Sequence, residues 1–73
     1  MQQIEDSQQL GRLIHQARKR QGLTQEQLSA ASGVGIRFIR ELEGGKASCH
    51  LGKALTVLQM LGLSIAVISG NEQ

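Results

Sequence analysis

The chain has no proline, tryptophan or tyrosine, and only one phenylalanine and one cysteine among its 73 residues. With no proline, nothing of that kind interrupts a helix from within. Together with 40% apolar residues, this suits a compact, helix-rich globule. The lone Cys49 excludes an intrachain disulfide, so a reducing cytosol is the expected compartment. No run approaches the ~20 apolar residues that span a bilayer. The polar start MQQIEDSQQ does not read as a signal peptide. A chain this short forms one domain and hides only about 60% of its unfolded surface, so its stability is expected to be modest unless subunits pair. A net charge of +2 leans only weakly basic, and the placement of the positive charges matters more than their sum.

Catalytic and metal chemistry find little support. His15, His50 and Cys49 lack metal-ligand spacing. His15 lies off the apolar stripe of its helix and is expected to be exposed, and His50 precedes a helix near its cap. Cys49 reads as a small core hydrophobe rather than a reactive thiol. No nucleophile–base pair and no phosphate-cradling glycine loop stands out, so neither an enzyme nor a bound cofactor is expected.

Four helices can be read before the C-terminal stretch. Leu10, Ile14, Ala17 and Gln21 recur at helical spacing, with Asp6 and Gln9 placed to cap the start. Gly22 closes this helix, and Arg18-Lys19-Arg20 suits the negative end of its dipole. Thr24-Gln25-Glu26-Gln27 is a capping-box pattern opening a second helix over Leu28 and Ala31, which stops at Gly33. A third runs from Gly35 to Glu43 and ends at Gly44-Gly45. The fourth runs from about Leu51 to Leu61, with Leu51, Leu55, Leu58 and Leu61 on one stripe. Ser32-Gly33-Val34-Gly35 allows only a sharp turn between helices two and three, which is a helix–turn–helix arrangement.

The stretch GLTQEQLSAASGVGIRFIRELEGGK resembles the helix–turn–helix of the Cro/lambda-repressor superfamily, with a match covering residues 8 to 61 approximately. The likeness rests on Leu23-Thr24-Gln25, Gly33 with Val34, Ile39, and the Leu42-Glu43-x-Gly45-Lys46 ending. Ser29 departs from the family's usual alanine, but it is small enough to fit and its hydroxyl can bond back to the preceding turn. The resemblance implies a mainly α, four-to-five-helix DNA-binding domain.

On the third helix Ile39, Leu42 and Glu43 face inward and Arg37 and Glu41 outward, with Ile36, Phe38 and Arg40 on the flanks. An inward glutamate is costly unless paired. Arg18 continues the inward stripe of helix one, so Arg18 and Glu43 are expected to form a largely buried ion pair; relatives carry such a pair at these positions. The Arg18 guanidinium could also touch a phosphate. Arg37 is the best candidate base reader, since a guanidinium can hold guanine O6 and N7 together. Arg40 could reach a base edge, a phosphate or Glu41, and Ile36 and Glu41 complete the candidate base-reading set. The sole ring, Phe38, sits beside arginines in VGIRFIRELEGGK, a segment too polar to be simply core. Packing at the core's edge is the first explanation, with a thymine methyl contact as the alternative. Thr24 and Gln25 stand at the first turn of helix two, where free N–H groups favour an anion. The resemblance implies that they hold a DNA phosphate, and Lys46 fits a further phosphate contact. Arg12, Lys19 and Arg20 could add attraction or only solvate the surface.

After Gly62, Leu63, Ile65 and Val67 alternate with Ser64, Ala66 and Ile68, which reads as one β-strand. A lone strand leaves both edges unpaired, and a second copy pairing antiparallel across a twofold axis is the simplest remedy. A frayed extension of helix four is the alternative. The expected layout is therefore an N-terminal arm at 1–6, the DNA-binding domain at 7–62, a dimerisation strand at 63–69 and a tail at 70–73. With five residues after Ile68, no long tail is expected.

Helix–turn–helix plus C-terminal strand resembles the HipB-like antitoxins more than phage repressors, through GIRFIRELEGGK and CHLGKALTVLQMLGLSIAV. That likeness implies a cytoplasmic homodimeric repressor, nucleoid-associated when bound to a palindromic operator before its own operon. It also implies docking of a HipA-like serine/threonine kinase toxin. Two alternatives stand beside it: a phage-type or restriction-controller repressor with no toxin partner, and a protein-interaction adapter that does not bind DNA.

Overall fold

The computed structural model describes residues 3–70. The first two residues of the expected arm and the last three of the expected tail lie outside them. Four helices follow in order: α1 Ser7–Arg20, α2 Gln25–Ser32, α3 Ile36–Glu43 and α4 Leu51–Met60. One large side chain from each, Ile14, Leu28, Ile39 and Val57, is fully buried. Burying a side chain of this size contributes about 1.5–3 kcal/mol. Ala17, Val34, Leu42, Ala54, Leu58 and Leu61 complete the core. α3 packs on both α1 and α2, and α4 packs on α2. Phe38 is half-buried against the core, and the Lys53 ammonium lies 5.8 Å from its ring centroid. Its ring is therefore a packing group at the core's edge.

Local chemistry sets the helix ends. Asp6 accepts from the Gln9 N–H (2.8 Å) to cap α1, while the Gln9 side chain accepts from the Glu5 N–H rather than from Asp6 itself. α1 then closes through Gly22 N–H to the Lys19 carbonyl (3.0 Å) and Leu23 N–H to the Arg18 carbonyl (3.1 Å). This paired closure turns Leu23 back against the core. α4 closes the same way, through Gly62 to Gln59 and Leu63 to Leu58, and brings Leu63 back. Gln21 ends α1 and donates from its side-chain amide to the Leu61 carbonyl (2.8 Å), joining the two closures. His50 caps α4, its Nδ1 accepting from the Lys53 N–H (3.3 Å).

Gly11 marks a close approach with no signature in sequence periodicity. A Cβ there would lie 2.6 Å from the Leu42 carbonyl oxygen and 2.7 Å from that of Glu43. Alanine favours a helix interior by about 1 kcal/mol over glycine, yet here it would push α1 off the end of α3. Gly11→Ala is expected to be net destabilising by roughly 1–3 kcal/mol, in the range of core overpacking. Chemical denaturation measures this, and a variant more stable than the parent would refute the close contact.

Three expectations about packing need correction. Leu51 is 66% exposed and does not share the buried stripe. The stripe is Ala54, Val57, Leu58 and Leu61, and Leu51 stands in the first turn, where side chains tilt toward the N-terminus and so past the core. Cys49 is exposed in the connection before α4, not a core hydrophobe. Among the described residues, 63–69 form no strand within the single chain. A strand is defined by its hydrogen-bonded neighbour, and one copy supplies none. Past Leu63 this segment exposes Ile65, Val67 and Ile68, with Val67 96% exposed.

Candidate nucleic-acid interface

The α2–turn–α3 unit is fastened by serines. Gly33, at φ 74°, donates its N–H to the Ser29 carbonyl (2.9 Å) and reverses the chain. Val34 then drops into the core. The Ser29 hydroxyl bonds forward across the turn, donating to the Val34 carbonyl (2.6 Å), rather than back to the preceding turn as expected. Carbonyls of the preceding turn are already taken by the helix ladder, whereas Val34 lies outside both helices and its oxygen needs a donor. The Ser32 hydroxyl donates to the Leu28 carbonyl (2.8 Å) and accepts from the Val34 N–H (3.3 Å). These bonds fix the angle at which α3 leaves α2.

Ile39 and Leu42 bury the inner face of α3, and its outer face is charged. The Arg37 side chain is 90% exposed, and its Nε lies 3.4 Å from Glu41 Oε2. Lys46 Nζ lies 3.3 Å from the same oxygen, so Glu41 sits between two cations. Arg40 is exposed, with Nη2 3.8 Å from Glu26 on α2. Ile36 is half-buried on the flank. Exposed pairs of this kind contribute about 0–1 kcal/mol each. They hold these side chains only loosely, so a phosphate or base edge can displace them.

Behind this face lies a polar cluster centred on Glu43. Arg18 Nε donates to Glu43 Oε2 (2.6 Å) and Arg18 Nη2 to Oε1 (3.0 Å), while Nη1 donates to the Leu23 carbonyl (2.7 Å). The Arg18 and Glu43 side chains are 8% and 5% exposed. His15, half-exposed on α1, places Nδ1 2.9 Å from Glu43 Oε1 and 3.1 Å from Arg18 Nη2. We assign Nδ1–H as donor to the carboxylate, because an unprotonated Nδ1 would set its lone pair against Oε1. Gln25 Nε2 also donates to Oε1 (3.2 Å). Burial pushes the Glu43 carboxyl up, but hydrogen bonds from Arg18, His15 and Gln25 and the Arg18 charge outweigh it and hold the group below its ordinary range. The hydrogen bond to Glu43 in turn raises Arg18.

Thr24 forms the capping box: its hydroxyl oxygen accepts from the Gln27 N–H (3.0 Å), and its own N–H donates to the Gln27 side chain (2.8 Å). Sequence reasoning missed the parts played by His15 and Gln25 in the Glu43 cluster. The bonds cross from α1 and α2 to the last residue of α3, and no local spacing signals them. Among the described residues no cluster of three metal-ligating side chains occurs, and no helix is long and apolar enough to cross a membrane.

The helix-turn-helix domain family matches residues 9–68 of this chain. Over 64 residues the chain is 45% identical to the uncharacterized HTH-type transcriptional regulator y4mF of Sinorhizobium fredii, covering 88% of this chain and 84% of that protein. Among solved structures, a HipB–O4 20mer complex holds a chain similar at TM-score 0.87 and 25% identity, covering 97% of this chain and 100% of that one. A HipA–HipB–O2–O3 complex holds one similar at the same TM-score, identity and coverage. Both the sequence and the four-helix architecture thus converge on one family of DNA-binding regulators. This chain belongs to the helix-turn-helix domain family, as a HipB-like, Xre-type transcriptional regulator.

Proposed function

We propose that the protein is a homodimeric repressor of its own operon that binds a palindromic operator, and the antitoxin of a HipA-like serine/threonine kinase toxin. The observation that carries the repressor reading is the α3 face, anchored by Ile39 and Leu42 and presenting Arg37 almost fully exposed. In this reading Arg37 reads guanine, and Arg40, Ile36 and Glu41 border it in the major groove. Thr24, Gln25 and Lys46 hold phosphates that fix the register. The domain at 7–62 binds DNA, and 63–69 pairs with its copy through Leu63, Ile65 and Val67. Residues 1–6 and 70–73 flank these as arm and tail. Two recognition helices about 34 Å apart then meet successive major grooves. The protein works in the cytoplasm, on the nucleoid when DNA-bound. The toxin reading draws support from the likeness to a HipB solved with HipA.

Footprinting of the DNA upstream of the gene tests the repressor. Two protected half-sites one helical turn apart are expected, and no protection at any concentration would refute it. Lys46→Ala is expected to weaken binding to operator and scrambled DNA alike and to reduce the salt slope by about 1. Light scattering tests the dimer: Val67→Asp, at a position exposed in the single chain, is expected to convert a dimer to a folded monomer. Copurification with a neighbouring kinase supports the antitoxin reading. A DNA-binding dimer that captures no kinase is a repressor without a toxin partner.

A further inference from the structure

The Glu43 carboxylate is nearly enclosed, yet one of its four donors comes from the residue at the first turn of α2. A primary amide nitrogen carries two N–H groups, and Gln25 Nε2 uses one of them on Glu43 Oε1 at 3.2 Å. Arg18 grips the same carboxylate through two nitrogens and His15 adds a third contact, so Glu43 is a fixed acceptor. Its charge is matched by Arg18, which removes the repulsion that a bare carboxylate would exert on a nearby phosphate. Beside Gln25 a depression of about 420 Å³ opens, lined by Thr24, Lys19 and Arg18 among others. The backbone N–H groups of Gln25 and Glu26 precede the first capped donor, that of Gln27, and lie in the same turn.

We propose that Glu43 is a positioning residue for the phosphate site: it takes one Gln25 Nε2–H, fixing the amide so that the second N–H and the first-turn N–H groups of α2 hold a single DNA phosphate oxygen group. Gln25 thereby bridges the buried ion pair to the DNA backbone. The proposal rests on the repressor reading, and it assigns to Glu43 a part in binding beyond its part in stability. A glutamine free in solution loses rotamer freedom on binding, whereas one already tied to Glu43 does not.

Two measurements test it with the full chain. The first is the side-chain amide of Gln25 followed by ¹⁵N relaxation in the DNA-free protein. An order parameter near 0.85, that of a rigid group, is expected; a value below about 0.6 overturns the tether. The second is a double-mutant cycle in DNA affinity, using Gln25→Met and Glu43→Gln at a temperature where melting shows every variant folded. Gln25→Met is expected to weaken binding about three- to tenfold with an unchanged salt slope, because a neutral amide displaces no counterion. Glu43→Gln is expected to weaken the parent but not the Gln25→Met background. Additive losses would leave Glu43 a purely structural residue and overturn the proposal. A parent protein that binds no DNA overturns the repressor reading instead, while the relaxation measurement still reports on the tether.

Discussion

Glu43→Gln is expected to lower folding stability by about 3–5 kcal/mol, the cost of stranding one member of a buried pair. Arg18 would keep its bond to the Leu23 carbonyl but lose the anion that neutralises it across α1 and α3. For a domain of this size, each kilocalorie moves the melting temperature by roughly 4–8 °C, so a fall on the order of 20 °C is expected. The same substitution at Glu26, whose contact with Arg40 is long and exposed, should change stability by less than about 1 kcal/mol. The pH dependence gives an independent check. Folding holds the Glu43 carboxyl below its ordinary value of 4.5, so the unfolded chain binds that proton more readily. Its contribution is complete above that value and is lost as pH falls through the lower, folded one. The parent should therefore lose stability in that acidic window more steeply than Glu43→Gln, which has no proton to take up there. Parallel stability–pH curves, or a variant that melts like the parent, would show that the pair does not hold α1 to α3.

Arg37→Ala is expected to leave melting unchanged and to cost about 1–3 kcal/mol of discrimination at each half-site. That corresponds to roughly a 5- to 150-fold loss of operator preference per half-site. The side chain is 90% exposed and its Glu41 contact is loose, so little competes with DNA for the guanidinium. The loss should fall on the operator and spare scrambled DNA, the reverse of Lys46→Ala, which weakens both. Equal affinity losses on the two DNAs would make Arg37 another phosphate contact.

Much of this architecture was legible because its determinants are local. Thr24 and Gln27 stand three residues apart, so the capping box that starts α2 is written in adjacent positions. Gly33 provides the backbone reversal that the helix–turn–helix requires. Arg18 and Glu43 were legible by a different route: each is a charge on an otherwise apolar face, and two such charges need one another. What escaped depends on distant neighbours. Gly11 looks like a mild helix defect until the Leu42 and Glu43 carbonyls are placed against it. His15 lies off the apolar stripe, and only the end of α3 gives it a partner. Leu51 fits a leucine spacing, yet the first turn of α4 overshoots the core. The alternation at 63–69 signals a surface that wants a partner, but one chain does not provide the partner that makes it a strand.

The most direct test of the repressor reading is fluorescence anisotropy with DNA from upstream of the gene, against scrambled DNA, across a salt series. A repressor that reads bases through Arg37 and grips phosphates through Lys46 and α2 binds the upstream DNA selectively, with affinity falling steeply as salt rises. Equal and feeble binding to both DNAs at low salt would contradict it, and would make the charged face of α3 a surface for a protein.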